Sequence, residues 1–291
     1  MTPFIVRRIL LAGVTLSFIS FVSFFIVQIP EGDVMDHVIR QLREAEGIPD
    51  EQAIIEIREQ LGLYDPLIVQ WWNWISNIVT RGDFGDSYSG VVGGSSERLA
   101  GHPVRQVFEE RLPFTIFLSL ATVIVVWSFS IPVGIYSAVR QHSLGDYVFT
   151  FLGFTGLAVP DFLLGLVLMY VFFAYFDHSV GGLFTYEHRN APWSVAKVMD
   201  LLQHMIIPCI VLGTAGTAGL IRVMRNNLLD ELKKPYVLTA SAKGLESWKV
   251  IAKYPVRVAL NPFISGIGGM LPGLLGADAI ISIVLGLPTI G

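Results

Sequence analysis

Charged residues gather in clusters along the chain and leave long stretches between them with few or none. A hydrocarbon core of about 30 Å requires roughly 20 helical residues per crossing at about 1.5 Å rise per residue. Stretches that meet this requirement run from Ile9 to Ile29, from Leu112 to Val139, within Tyr147 to Phe176, from about Leu201 to Ile221, and from Val258 to about Leu285. In lipid every backbone polar group must be bonded within the segment, so these five read as transmembrane helices of an all-α polytopic membrane protein. The first stands where a signal peptide would, behind Arg7 and Arg8, but Val27-Gln28-Ile29-Pro30 offers no small-residue cleavage site. It reads as a retained anchor.

The polar intervals have patterns of their own. Between Pro30 and Arg111, Asp50 suits an N-cap for a helix with Ala53, Ile54, Ile57 and Leu61 on one face, and Gly62 stands where its C-cap belongs. A second amphipathic helix begins near Pro66, with Leu67, Trp71, Trp74 and Ile78 at helical spacing. Its apolar face suits a membrane interface or a transmembrane core equally well. The run from Arg81 to Ser87 reads as loop. The chain divides into residues 1–29, an intermediate region 30–111, and a membrane domain 112–291.

With 53% apolar and 15% charged residues and a mean hydropathy of +0.59, the composition agrees with a membrane protein. A net charge of −4 supplies no bulk attraction for nucleic acid. The placement of charge is more informative. Arg7, Arg8, Arg140 and the eight basic residues between Arg222 and Arg257 fall on one side of the five spans. The region 30–111, with its acidic excess, falls on the other, together with the Gly181 to Asp200 segment. The positive-inside rule then predicts a cytoplasmic N-terminus and leaves Gly291 outside. The lone Cys209 has no partner for a disulfide or a metal site and reads as packing.

No phosphate loop, HExxH, GxSxG or cysteine pair is present, and the six histidines are scattered without ligand spacing on any one helix. Neither a catalytic nor a metal site is expected. Two carboxylates interrupt apolar spans: Asp161 after Pro160, which either lines a polar path or caps the helix that Pro160 interrupts, and Asp278 in Gly276-Ala277-Asp278-Ala279, a candidate lining residue of such a path. Gly213, Gly216 and Gly219 in the fourth span, and Gly266, Gly269, Gly273 and Gly276 in the fifth, allow close helix approach. The basic loop between those spans is patterned for structure. Pro235 suits a first helical position, Tyr236 to Lys243 a short helix, and Gly244 a left-handed cap, while Ser247 caps a second helix that Pro255 ends. Charge alone leaves two readings open, a docking surface for a soluble partner or a loop resting on anionic lipid.

The stretch from Tyr236-Val237-Leu238-Thr239-Ala240 through Lys243-Gly244-Leu245 to Arg257-Val258-Ala259-Leu260-Asn261-Pro262 resembles the EAA loop of ATP-binding-cassette importer permeases of the dipeptide, oligopeptide and nickel branch. The resemblance continues in Leu61-Gly62-Leu63-Tyr64-Asp65-Pro66-Leu67, Gly82-Asp83-Phe84-Gly85, Arg111-Leu112-Pro113-Phe114-Thr115 and Val159-Pro160-Asp161-Phe162-Leu163-Leu164-Gly165, in family order. Leu238 stands at the EAA glutamate position, as is usual in this branch.

That resemblance implies a type I importer permease (MetI-like) fold in the cell membrane, of which the present sequence carries five helices and lacks a sixth. It implies half of a translocation path for di- or oligopeptides, shared with a second homologous permease. Two cytoplasmic ATPases and an extracytoplasmic solute-binding protein complete the system. ATP and magnesium act at the ATPases, and this chain binds no cofactor of its own. The coupling surface within the loop at about 222–257 is carried by Tyr236, Thr239, Ala240, Lys243, Gly244 and Leu245. Nickel chelates or another small solute are alternative cargoes. A secondary transporter or a membrane scaffold are rival classes, though the duplication and paired broken helices common in secondary carriers are not found in this sequence.

Overall fold

The computed structural model describes residues 2–29, 55, 58–59, 62–87, 102–176, 181–189 and 191–290; of Thr2, Ser87, His102, Phe176, Leu271, Ala277 and Asp278 only the backbone is described. The chain forms two compact units, residues 1–109 and 110–291.

In the first unit, α1 (Thr2–Gln28) is a single helix of 27 residues, two turns longer at its start than expected because Arg7 and Arg8 continue it. Thr15, Ser17 and Ser20 return their hydroxyls to carbonyls three or four residues back, so they leave no polar group to lipid. Helix α2 (Leu67–Arg81) opens after Pro66 and closes on Gly82, whose φ of +64° suits a residue without Cβ. Its tryptophans resolve the two readings of the apolar face. Trp71 packs edge-on against Phe21 of α1 at 5.4 Å and donates to the Ser20 hydroxyl at 3.4 Å, while Trp74 stacks near Phe24. Trp72 stays largely exposed.

Gly62 has the positive φ expected of a cap, and its N–H and that of Leu63 bond back to Glu59 and Arg58. The helix proposed from Asp50, with Ala53, Ile54, Ile57 and Leu61, lies largely outside the described residues. The expected loop after Arg81 ends in a short strand. Asp86–Ser87 (β1) pairs antiparallel with His102–Pro103 (β2).

Helix α3 (Val104–Val139) is 36 residues long and begins eight residues before the apolar run, its first turns held by an Arg105–Glu109 pair at 2.7 Å. The division between the two units falls within it.

The third apolar stretch is a correction. It is two helices, α4 (Leu144–Ala158) and α5 (Asp161–Phe176), bent by 102° at Val159-Pro160. Proline has no N–H to donate and pushes the preceding residue out of helical geometry, and Val159 is accordingly extended at φ −87°, ψ 124°. Next come α6 (Tyr186–Arg189) and α7 (Val195–His204), the latter capped by the Ser194 hydroxyl accepting from the Lys197 N–H. Helix α8 (Ile206–Leu232) follows after Met205 and extends eleven residues past the expected end, carrying Arg222 and Arg225. Three short helices, α9 (Pro235–Ala242), α10 (Ser247–Lys253) and α11 (Pro255–Ala259), lead into α12 (Asn261–Leu285).

Three described helices, α1, α3 and the α7–α8 run, are long and apolar enough to cross a membrane, and the bent α4–α5 pair makes a fourth. The 25 residues of α12 also have the length of a crossing.

Helix α8 is the hub of the second unit and packs on α4, α5, α11 and α12. It meets α3 where side chains are small. A Cβ built on Gly134 would stand 2.5 Å from the Met224 Cβ, and one on Gly213 would stand 2.9 Å from Val126. Glycine therefore sets the helix separation at both crossings. Val126, Val211, Met224 and Leu228 are fully enclosed along this seam. The fifth-span glycines behave differently. Gly266, Gly269, Gly273 and Gly276 have nothing of the described residues within 4 Å of where a Cβ would stand.

Candidate functional site

The basic loop folds as a hairpin of short helices on the end of α8. Pro235 occupies the first turn of α9, where its missing N–H costs nothing and its fixed φ favours the helix. The turn out of α9 needs Gly244 at φ +76°. An L side chain there would cost about 1–2 kcal/mol, although no neighbour occupies the space it would enter. Ser247 is the first residue of α10 and not its cap; the preceding Glu246 holds that place without a side-chain bond and instead accepts from Trp248 Nε1 and pairs with Lys249.

A small core of Val237, Ala240 and Val250, with Tyr254 against it, closes the hairpin. Helix α11 anchors it to the membrane helices, since Ala259 is buried with Met224, Leu228 and Phe263. Polar fixation comes from Glu231 in the last turn of α8. Its buried carboxylate accepts from the Lys234 ammonium and the Tyr236 hydroxyl. Burial, and then the bond and charge of Glu231, push the Tyr236 phenol up to about 12, so it keeps its proton for this bond at any physiological pH.

The six residues singled out in the loop divide into two sets. Ala240 is buried in the small core and Tyr236 turns back to Glu231, so both hold the hairpin in shape. Thr239, Lys243, Gly244 and Leu245 are exposed, and Leu238 and Trp248 stand out beside them, each about two-thirds exposed. The result is an outward face that is mostly apolar, with the Lys243 ammonium unpaired among the described residues.

Asp161 opens α5 at the bend, half-buried, and among the described residues nothing bonds to its carboxylate. Asp278 belongs to α12 by its backbone, but its side chain lies outside the described residues.

Two polar arrangements escaped the sequence reading. Asp146, in the first turn of α4, takes Arg225 of α8 in a bidentate pair at 2.9 and 2.9 Å and accepts from the His142 N–H at 3.0 Å. On the 181–205 segment, histidines far apart in sequence converge on one carboxylate. Asp200 accepts from Thr185 N–H at 2.9 Å and from the Thr185 hydroxyl at 3.2 Å, with His204 Nδ1 at 3.3 Å and His188 Nδ1 at 3.6 Å. Beside it Lys197 donates to the carbonyls of Ala191 and Arg189 and lies over the rings of Phe184 and Trp193. The Asp146–Arg225 pair would have required knowing which helices touch, and in the second cluster only the i, i+4 spacing of Asp200 and His204 is local.

A helical membrane domain with a projecting basic hairpin is the arrangement of a transport permease, and sequence comparison decides it. The family described as "Binding-protein-dependent transport system inner membrane component" matches residues 130–291, and its N-terminal companion matches residues 1–121. The chain belongs to this family. Among its relatives, the oligopeptide transport system permease protein AppB of Bacillus subtilis (strain 168) is 36% identical over 296 residues. A putative peptide permease of Brucella ovis is 30% identical over 293 residues, and the glutathione transport system permease protein GsiC of Salmonella choleraesuis is 30% identical over 291. Each match covers all of this chain and 85% of the relative. The chain is thus a multi-pass membrane subunit of a binding-protein-dependent transporter, with the permease architecture that its EAA-like loop implied.

Proposed function

We propose that this permease imports peptides, di- or oligopeptides, as one of two homologous membrane subunits driven by two cytoplasmic ATPases and supplied by an extracytoplasmic solute-binding protein. The observation that carries the reading is the hairpin, which holds its own shape and leaves Thr239, Lys243, Gly244 and Leu245 outward. A second permease finds support in α12, whose open glycine face would admit a neighbouring helix at close range. The names of the relatives support a peptide cargo. The orientation follows the positive-inside rule, with the N-terminus, Arg140 and the hairpin in the cytoplasm.

In this reading α9 seats in a groove of an ATPase, where ATP and magnesium act. Closure of the ATPase pair moves the hairpin as a body, because its small core and the Glu231 bonds tie it to the end of α8. Helix α8 packs on α4 and α5, so its movement reaches the bend at Pro160 and shifts the path between inward and outward access. Asp161 at that bend, and Asp278 in α12, line the path.

The test is uptake into proteoliposomes carrying this chain, its co-expressed permease partner and ATPases, with the solute-binding protein added. Uptake of labelled di- or oligopeptides that requires ATP is expected. Uptake without nucleotide would contradict the ATP-driven mechanism, and uptake of nickel chelates with no peptide uptake would contradict the cargo.

A further inference from the structure

Between the start of α4 and the second half of α8 lies a cavity of about 440 Å³. Its polar wall carries two guanidinium groups, Arg222 and Arg225, with His142 and Asn226, and Phe154 and Tyr147 line its apolar side. Its single carboxylate, Asp146, is already satisfied by the bidentate bond from Arg225. Arg222 is the cation left over. Its guanidinium carbon lies 4.8 Å from the centroid of Phe154, and among the described residues it makes no ion pair. The site therefore offers a positive charge held against an aromatic ring and directed to no acid among the described residues.

Beyond the cavity, α4 continues with an exposed apolar face. Thr150, Phe154 and Leu157 follow one another at i, i+4 and i+7 on α4, so they share a face, and both apolar members stand about half exposed. On α8 the residue one turn before Arg222 is Gly219, with nothing within 4 Å of where a Cβ would be. A cationic pocket beside an exposed apolar helix face, on helices that stand in a bilayer, has the complementarity of an amphiphile with an anionic head. Basic pockets between transmembrane helices on the cytoplasmic side suit phospholipid headgroups.

We propose that this cavity holds the phosphate of an anionic phospholipid at Arg222, with an acyl chain lying along Phe154 and Leu157. The inference rests on the reading of α4 and α8 as membrane helices and goes beyond the transport function. Free inorganic phosphate would satisfy Arg222 but leave the apolar face at Phe154 and Leu157 uncovered. Because the lipid would sit on α8, the helix that carries the hairpin, its occupancy would bear on the element that transmits motion.

The test uses the assembled transporter in nanodiscs of phosphatidylcholine with a minor share of phosphatidylglycerol, and counts by native mass spectrometry the phosphatidylglycerol retained per complex. Wild type is expected to retain it above its share of the bulk lipid. Arg222→Gln is expected to lose about fivefold in that enrichment, the loss of one basic group's attraction to an anionic surface. Arg222→Lys is expected to keep it, and Leu157→Trp, which reshapes the exposed apolar face and leaves the charge, is expected to lose it. If Arg222→Gln does not assemble, Leu157→Trp decides alone. No enrichment in wild type, equal enrichment in Leu157→Trp, or displacement by millimolar inorganic phosphate or peptide would overturn the proposal. Nanodiscs present both leaflets, so the outcome is independent of the assigned orientation, and failure of the membrane reading would appear separately as a chain that does not enter the discs.

Discussion

Two connecting segments of the second unit solve the same problem, holding a loop still against membrane helices, in opposite ways. The 181–205 segment is fixed by buried polar bonds: Lys197, Asp200 and His204 are all nearly inaccessible, and the N–H of Gly182 donates to the Leu285 carbonyl at 2.8 Å. The 233–260 hairpin is fixed by a small apolar core and one carboxylate at its base, and it leaves its far side bare. Buried polar networks have low tolerance for displacement, because each group must keep its partner or lose the full cost of desolvation. An apolar contact keeps its value through small shifts of a rigid body. The first segment is tied to the helices, and the second keeps a face free for the ATPase contact proposed above.

The contrast can be broken at several points. The largest effect is expected for Gly244→Asp, which places a charge on the hairpin's outer turn and a Cβ at φ +76°. ATP-driven uptake should be abolished while membrane abundance stays at the wild-type level; normal uptake would remove the hairpin from the mechanism. Next, Asp200→Ala strips the acceptor from the Thr185 N–H and hydroxyl and removes the carboxylate beside His204, whose Nδ1 keeps only the carbonyl of residue 200 at 2.9 Å. It should lower stability in detergent by about 1–3 kcal/mol, read from a thermal or denaturant midpoint, and an unchanged midpoint would mean the cluster fixes nothing.

A smaller effect is expected for Glu231→Gln. It weakens the bonds to Lys234 and Tyr236 by about 1 kcal/mol, because Lys234 is half exposed and screened. The signature should be ATP hydrolysis with reduced uptake per ATP, and unchanged coupling would show that the apolar core suffices. The smallest is a pH effect. The Tyr236 phenol is raised from 10.0 to about 12 in the folded chain, so the bond to Glu231 contributes fully below pH 10 and is lost as pH rises from about 10 to about 12. The stability difference between wild type and Tyr236→Phe should therefore vanish across that window; a difference that persisted above it would assign the effect to packing.

What the sequence made legible follows the range of the signal. Pro235, Gly244 and Pro255 are local punctuation, and the hairpin they predicted is the one observed, apart from the place of Ser247. Leu67, Trp71 and Trp74 marked a true helical face, but nothing local said that Phe21 and Phe24 would cover it. Pro160 was visible as a break, yet the 102° turn depends on α4 and α5 each finding α8. The Asp146–Arg225 pair joins residues 79 apart, and His188 and His204 meet only through Asp200. Such contacts are set by helix register across a packing interface, which apolar periodicity on one helix does not encode.

The central claim is that the outward face of the hairpin engages an ATPase. It is tested most directly by placing single cysteines at Thr239 or Lys243 in a Cys209→Ser background and cross-linking them to co-expressed ATPase subunits with and without ATP. The account predicts cross-links whose yield changes with nucleotide. An accessible, cytoplasmic hairpin that cross-links to no ATPase in either state would contradict it.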